Sequence, residues 1–295
     1  MAGINTIDIS EVRGQDRRDI LISEVNKLIS LPDIYYRLES AVESPTATTD
    51  DFSLLLSTDV DLCARLLRMA NSAFYSFPAK IETIDRAIST IGIRQIRELI
   101  LMTSVIEAFN GVPIEQVNMR TFWEHSVAVG VLARAMARHA GQSQPERFYI
   151  PGLLHDIGRL VLYLKLPGLM LEIVSQAKEQ GQPLFLFELE HLDYTHAEIG
   201  GRLLEFWKVP QSIHEPVFHH HQPHKASEFI QLASAIHIAD AWVNGEQFGS
   251  SGEFGTPVIK PEALQVMGIQ LHEMDEIWTT AKDEINDIVN QFLNH

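Results

Sequence analysis

Apolar residues recur along this chain with the three-to-four-residue period of a helix, and no stretch alternates strongly enough to suggest a sheet. Between residues 17 and 31 the apolar positions are Ile20, Leu21, Val25, Leu28 and Ile29, and the pattern stops before Pro32. Pro45 to Asp51 reads as a polar turn ahead of a helix carrying Phe52, Leu55 and Leu56. Ile84, Ala87, Ile88 and Ile91 keep i, i+3, i+4, i+7 spacing up to Gly92. The next helix runs through Ile96, Leu99, Ile100 and Ile106 to Asn110-Gly111. A further amphipathic helix spans Phe122 to Ala137. Thr195-His196-Ala197-Glu198 has the form of a capping box opening a helix through Ile199, Leu203, Leu204 and Phe206.

The expected fold is therefore all-α, with helices joined by short polar turns. Gly111-Val112-Pro113 is the expected joint, dividing the chain into an N-terminal helical subdomain (1–112) and a second helical subdomain (113–247). Gly249-Ser250-Ser251-Gly252 reads as a flexible turn leading to a helical C-terminal extension (248–295). No repeat of the solenoid type is present.

Composition narrows the function classes. At 295 residues and 45% hydrophobic content, the chain can bury a sizeable core. A single cysteine, Cys63 in an apolar helical stretch, excludes an internal disulfide and a cysteine-ligated metal cluster, and fits a packing role in a reducing, cytoplasmic setting. No apolar run is long enough to span a bilayer, and the residues from Met1 to Arg18 lack the apolar segment of a secretory signal, so no membrane partner is expected. The net charge of -16 argues against a direct nucleic-acid partner, whose phosphates need clustered Lys and Arg.

The most informative stretch is Leu153-Leu154-His155-Asp156-Ile157-Gly158-Arg159, which sets an imidazole beside a carboxylate directly after an apolar run. On a helix, adjacent side chains differ by about 100° in direction. Both can converge on one metal while the Asp keeps an oxygen free to bridge to a second. An apolar run followed by His-Asp also recurs by chance, so its company matters. Most of the 13 His residues lie between His125 and His237, several in apolar helical surroundings, and Asp240 ends the apolar run Ala235-Ile236-His237-Ile238-Ala239, where a carboxylate needs a partner.

The order His, His-Asp, His, His-His, Asp resembles the HD metal-dependent phosphohydrolase superfamily. Within it, the chain is similar to the HDOD (HD-related output domain) proteins over roughly Leu28 to Asn244. The segment that carries this narrower likeness is Asp59-Val60-Asp61-Leu62-Cys63-Ala64-Arg65-Leu66-Leu67-Arg68-Met69-Ala70-Asn71-Ser72-Ala73-Phe74-Tyr75, followed by Ile84-Asp85-Arg86-Ala87-Ile88 and Ile91-Gly92. The resemblance implies an HD-domain-like helical bundle with an N-terminal helical HDOD subdomain. It also implies two divalent transition-metal ions, the first held by His125, His155, Asp156 and Asp240 and the second by Asp156, His196, His220 and His221. Imidazole with a bridging carboxylate suits iron, manganese, zinc or nickel.

Three departures from the cyclic-dinucleotide phosphodiesterases of the superfamily bear on activity. Their Gly-Tyr-Pro loop is replaced by Gln222-Pro223-His224-Lys225-Ala226-Ser227. Arg159 stands where they carry a Lys, a planar fork in place of a point charge. The position of a third-metal carboxylate is Thr121. Two readings follow. In one, the protein is a bacterial-type signalling module with a protein partner, whose metals serve stability or the sensing of a small phosphorylated ligand. In the other, it is a metal-dependent phosphohydrolase acting on a phosphoester or nucleotide, with Asp156 and Arg159 as catalytic residues; an oxygenase with a di-iron pair is a variant. Hydrolysis of cyclic di-GMP is not expected. His139, His191, His214, His224 and His237 fall outside the ligand order and read as surface or helix-end residues. Asn71 reads as a local backbone-bonding or left-handed cap residue, and Trp123, Trp207 and Trp242 as core or interface residues.

Overall fold

The computed structural model describes residues 15–27, 29–71, 80–110, 117–255 and 257–293. All regular elements among them are helical: α1 (Gln15–Asn26), α2 (Asp33–Val42), α3 (Thr49–Leu56), α4 (Val60–Ala70), α5 (Ile84–Ile91), α6 (Ile93–Asn110), α7 (Met119–His139), α8 (Tyr149–Leu154), α9 (Ile157–Lys165), α10 (Pro167–Gln180), α11 (Leu184–Leu192), α12 (His196–Phe206), α13 (Gln211–His219), α14 (Ile230–Gly245), α15 (Pro261–Met267) and α16 (Met274–Leu293), with short 3-10 turns between some of them. The expected joint at Gly111-Val112-Pro113 lies outside the described residues, as does Ser72 beside Asn71.

Three of the N-terminal helices start where a local polar side chain fixes them. Thr48 and Asp51 form a reciprocal capping box on α3, while the side chains of Asp59 and Thr83 cap α4 and α5. Gly92 ends α5 at φ 90. The apolar faces meet on α6, which packs against α2, α4 and α5 and reaches α8. Asn71 ends α4 at φ -96, outside the left-handed region; its amide exchanges two 2.7 Å hydrogen bonds with the backbone of Ile81 and donates a third to the Leu67 carbonyl. The expected backbone-bonding role is the one found.

The centre of the molecule is α7, whose 21 residues are buried over most of their surface, as expected for a helix with neighbours on several sides. The Asn118 side chain caps it through the N–H groups of Arg120 and Thr121. It packs against α8, α14 and α16, so the C-terminal helix lies along the core with Met274, Ile277, Trp278, Ala281, Ile285 and Ile288 buried. Arg134, almost fully buried on α7, pairs with Glu146 and with Glu284 of α16. The first helix crosses onto the second half of the chain, where α1 packs on α9 and α12, Arg18 pairs with Glu198, and Trp207 Nε1 donates to Asn26.

Two backbone approaches set the register of the second half. Gly130 on α7 and Gly152 on α8 let these helices touch backbone to backbone. Gly158 on α9 and Gly200 on α12 do the same for the other pair, and a Cβ on Gly158 would run into the His196 carbonyl and the Gly200 amide. That contact brings the residues preceding α9 against the first residue of α12.

Candidate metal centre

His125 sits in mid-α7 and Asp240 in α14, as the apolar helical surroundings suggested. The other proposed ligands lie at helix ends. His155 and Asp156 form the break between α8 and α9, with Asp156 at φ -97, ψ 5; an uninterrupted helix through the pair is thus corrected to a one-turn kink. His196 is the first residue of α12, and His220-His221 follow the last residue of α13. Helix ends free side chains from the fixed angular step of the helix, which lets residues adjacent in sequence aim at one point.

All seven residues are buried, none more than 6% exposed, and they fall into two groups. One contains His125, His155, Asp156 and Asp240, and the other His196, His220 and His221. In each group one ligand atom per residue lies within 4.8 Å of the others. Asp156 joins them. Its Oδ2 lies 3.2 Å from His155 Nε2 and 3.8 Å from His125 Nε2, while its Oδ1 lies 2.9 Å from His196 Nε2. Asp240 Oδ1 is 3.2 Å from His125 Nε2 and 3.5 Å from His155 Nε2, and His221 Nε2 is 3.1 Å from His196 Nε2.

The tautomers are set from behind. His155 Nδ1 donates to the Gly152 carbonyl at 2.8 Å and His220 Nδ1 to the Val217 carbonyl at 2.7 Å, the same i to i-3 device used twice. Each ring therefore turns its Nε2 to the centre, and neither Nε2 makes a hydrogen bond of good geometry. Buried nitrogen lone pairs without partners are costly unless something positive meets them. His196 Nδ1 donates to Glu188 Oε2 at 2.7 Å, the carboxylate–histidine arrangement that commonly stands behind a metal-bound imidazole.

The charge balance points the same way. Asp156, Asp240, Glu188 and the Glu253 side chain are all buried, and Arg159 is the one guanidinium among them. Burial alone would keep the Asp156 and Asp240 carboxyls neutral, yet Arg159 and the imidazoles hold Asp156, and the adjacent His125 and His155 rings hold Asp240, well below the ordinary carboxylate range. Burial likewise opposes charge on His155, but Asp156 and Asp240 outweigh it and lift the ring to about 10, so an ion bound at Nε2 would take the place of a proton there. Burial and the neighbouring imidazoles push His220 and His221 well down, keeping their lone pairs available. The cluster demands positive charge, and its N/O donor set fits divalent transition metals.

Several supporting residues carry no signal in the sequence. Glu188, fully buried on α11, accepts from both the ring and the backbone N–H of His196. The expected capping box is absent: the Thr195 side chain makes no capping bond, Glu198 pairs with Arg18, and Glu188 takes the first N–H of α12. Asn244 donates to Asp240 Oδ1 at 2.8 Å. His237, read from the sequence as a surface or helix-end residue, is instead buried in mid-α14, where it donates to the His220 carbonyl and accepts the Lys260 N–H, and Lys260 Nζ donates to the His221 carbonyl. Phe185 stacks on His221 with ring centroids 4.0 Å apart. Thr121, in the place of a third-metal carboxylate, bonds the Asn118 carbonyl and accepts the Ser250 N–H through its own. Trp123 and Trp207 are core residues, and Trp242 packs against the core partly buried.

Arg159 is buried among the acidic groups. Its Nη1 donates to Ser251 Oγ at 2.8 Å and lies 3.7 Å from Asp156 Oδ2; its Nη2 is 3.2 Å from Glu253 Oε2. Ser251 belongs to the segment expected to be a flexible turn and Glu253 directly follows it; both instead lie against the centre.

Among solved structures, the chain resembles an HDOD domain protein of unknown function from Geobacter sulfurreducens, with a TM-score of 0.74, 23% identity, and coverage of 95% of this chain and 99% of that one. A candidate phosphohydrolase from Shewanella amazonensis SB2B gives a TM-score of 0.67 at 26% identity over 92% of this chain and 97% of the other. A candidate signal-transduction protein from Marinobacter aquaeolei VT8 gives 0.64 at 20% identity, covering 96% of this chain and 62% of that one. An uncharacterized protein of Treponema pallidum (strain Nichols) is 26% identical over 222 residues, 75% of this chain, and the chain spans 43% of that relative's length. The HDOD domain family model matches residues 28–223, taking in the α4–α5 segment and six of the seven clustered ligand residues, and the chain belongs to the HDOD family.

Proposed function

We propose that this protein is a signalling or regulatory HDOD module whose second half holds a binuclear transition-metal centre. His125, His155, Asp156 and Asp240 would take the first ion, and Asp156, His196, His220 and His221 the second. The observation that carries the reading is the Asp156 carboxylate, which presents one oxygen to each ligand group. The N-terminal helices are the surface offered to a protein partner, and a small phosphorylated compound is the class of ligand the centre would sense. The metals, when bound, would supply Lewis acidity toward a phosphoryl oxygen.

The phosphohydrolase alternative draws on Arg159, close to Asp156, and on the likeness to the Shewanella candidate enzyme. Against turnover of a large substrate stand the burial of all seven ligands, the missing Gly-Tyr-Pro loop and the protein contacts that fill the Arg159 fork. Without groups to hold a dinucleotide in line, a nucleophile lacks orientation. Purified protein is accordingly expected not to hydrolyse cyclic di-GMP. Turnover that disappears in Asp156→Ala would replace the regulatory reading with the enzymatic one.

Elemental analysis of protein purified without added metal tests the centre itself, with two transition-metal ions per chain expected. In His196→Ala the first group is intact while the second loses a central ligand, so the metal content should fall to about one ion. Loss of both ions on this substitution would contradict the assignment of His196 to the second group alone.

A further inference from the structure

Residues 249–255 cross the metal centre as a strap. Gly249, at φ 65, lies on the α7 backbone where a Cβ would strike the His125 amide, and Ser250 N–H reaches the Thr121 carbonyl at 2.9 Å. Gly252, at φ 100, lies against the Tyr163 hydroxyl where a side chain would not fit. Between these seats and α11, Ser251 and Glu253 point inward. Glu253 Oε1 accepts the Leu184 N–H at 2.5 Å, and Oε2 faces Arg159 Nη2 at 3.2 Å. Phe254 remains exposed, and the strap is held mainly by polar contacts and by close backbone approach at Gly249, Gly252 and Gly255. Segments of that kind open locally at lower free energy than the core.

The geometry points to Glu253 as a built-in anion for the Arg159 fork, excluding phosphate from the second ligand group while the strap is down; the inference rests on the metal-centre reading for what lies beneath. A guanidinium presents planar paired donors that match a carboxylate or a phosphate equally well. Arg159 Nη2 lies 3.2 Å from His196 Nδ1 and 3.3 Å from its Nε2, so an oxyanion reaching the second group from the strap side meets the donor that Glu253 occupies. Asp156 and Glu188 also face Arg159, so the guanidinium keeps carboxylate partners when Glu253 leaves. Exchange of Glu253 for a ligand phosphate therefore strands no buried positive charge. Recognition of a phosphorylated ligand would thereby be coupled to lifting the strap, a surface change that a partner can read.

The test is calorimetric titration of inorganic phosphate into the full-length chain at constant ionic strength. Glu253→Ala should bind phosphate at least about ten-fold more tightly than the parent protein, the scale of one charge-assisted hydrogen bond released for use. Glu253→Gln, which keeps an acceptor for the Leu184 N–H but removes the charge, should gain in the same direction. Adding Arg159→Lys to Glu253→Ala should cancel the gain, because the fork is lost while the charge stays. Equal affinity in parent and Glu253→Ala, or a gain that survives Arg159→Lys, would overturn the inference. If circular dichroism shows Glu253→Ala unfolded, the Glu253→Gln comparison decides: a gain supports the inference and no gain overturns it. Metal content measured on the same samples separates the two claims, since a parent protein without transition metal contradicts the metal-centre reading while the phosphate comparison still reads the Arg159–Glu253 pair.

Discussion

Asp156→Ala should leave the protein folded and without either metal ion. The substitution removes the Oδ2 that faces His125 and His155 and the Oδ1 that faces His196, so each group loses its connection to the other. A carboxylate can serve two ions through two oxygens, whereas each imidazole offers one lone pair. Replacing any single His thins one group, but replacing Asp156 thins both. Loss of a ligating residue is expected to lower affinity by more than the 10–100-fold or so typical of a supporting hydrogen bond, enough to empty both positions during purification. Elemental analysis reads the result, alongside circular dichroism to establish that the helices persist. Two ions per chain in Asp156→Ala would remove the bridge from the account.

The second large effect is on stability. Gly158→Ala should destabilise the fold by about 3 kcal/mol or more, at the upper end of overpacking costs, because its Cβ would meet backbone rather than a movable side chain. The obstructing atoms are the His196 carbonyl and the Gly200 amide and Cα, so α9 and α12 would have to separate. Gly168, within α10, offers the control. A Cβ there meets nothing within 4 Å, and Gly168→Ala should be neutral or stabilising by up to about 1 kcal/mol. Urea midpoints measure both. A Gly158→Ala protein as stable as Gly168→Ala would show that the α9–α12 contact does not hold Asp156 and His196 together.

What could be read from the sequence was the part governed by local rules. Helical period placed α5 at Ile84–Ile91 without error, since Thr83 caps its start and Gly92 ends it. The ligand residues were legible because a His or Asp in an apolar helical setting calls for a partner, and their order matched a family pattern. Their helix-end geometry was less so: the break at Asp156 has no Pro or Gly at the break itself to announce it. Glu188 and Glu253 were invisible for a different reason. Each looks like an ordinary surface carboxylate until tertiary contacts bring α11 and the strap against His196 and Arg159. The capping box at Thr195 failed through the same kind of competition, with Arg18 of α1 taking the Glu198 that the local pattern required. The glycines and serines of residues 249–252 suggested flexibility; in the structure Gly249 and Gly252 permit close seating against α7 and Tyr163.

An anomalous-scattering map from crystals of protein purified without added metal tests the central claim most directly. The account predicts two peaks about 3.5–4 Å apart, one beside Asp156 Oδ2 with His125, His155 and Asp240, the other beside Oδ1 with His196, His220 and His221. A single peak, or peaks that leave Asp156 uncoordinated, would contradict it.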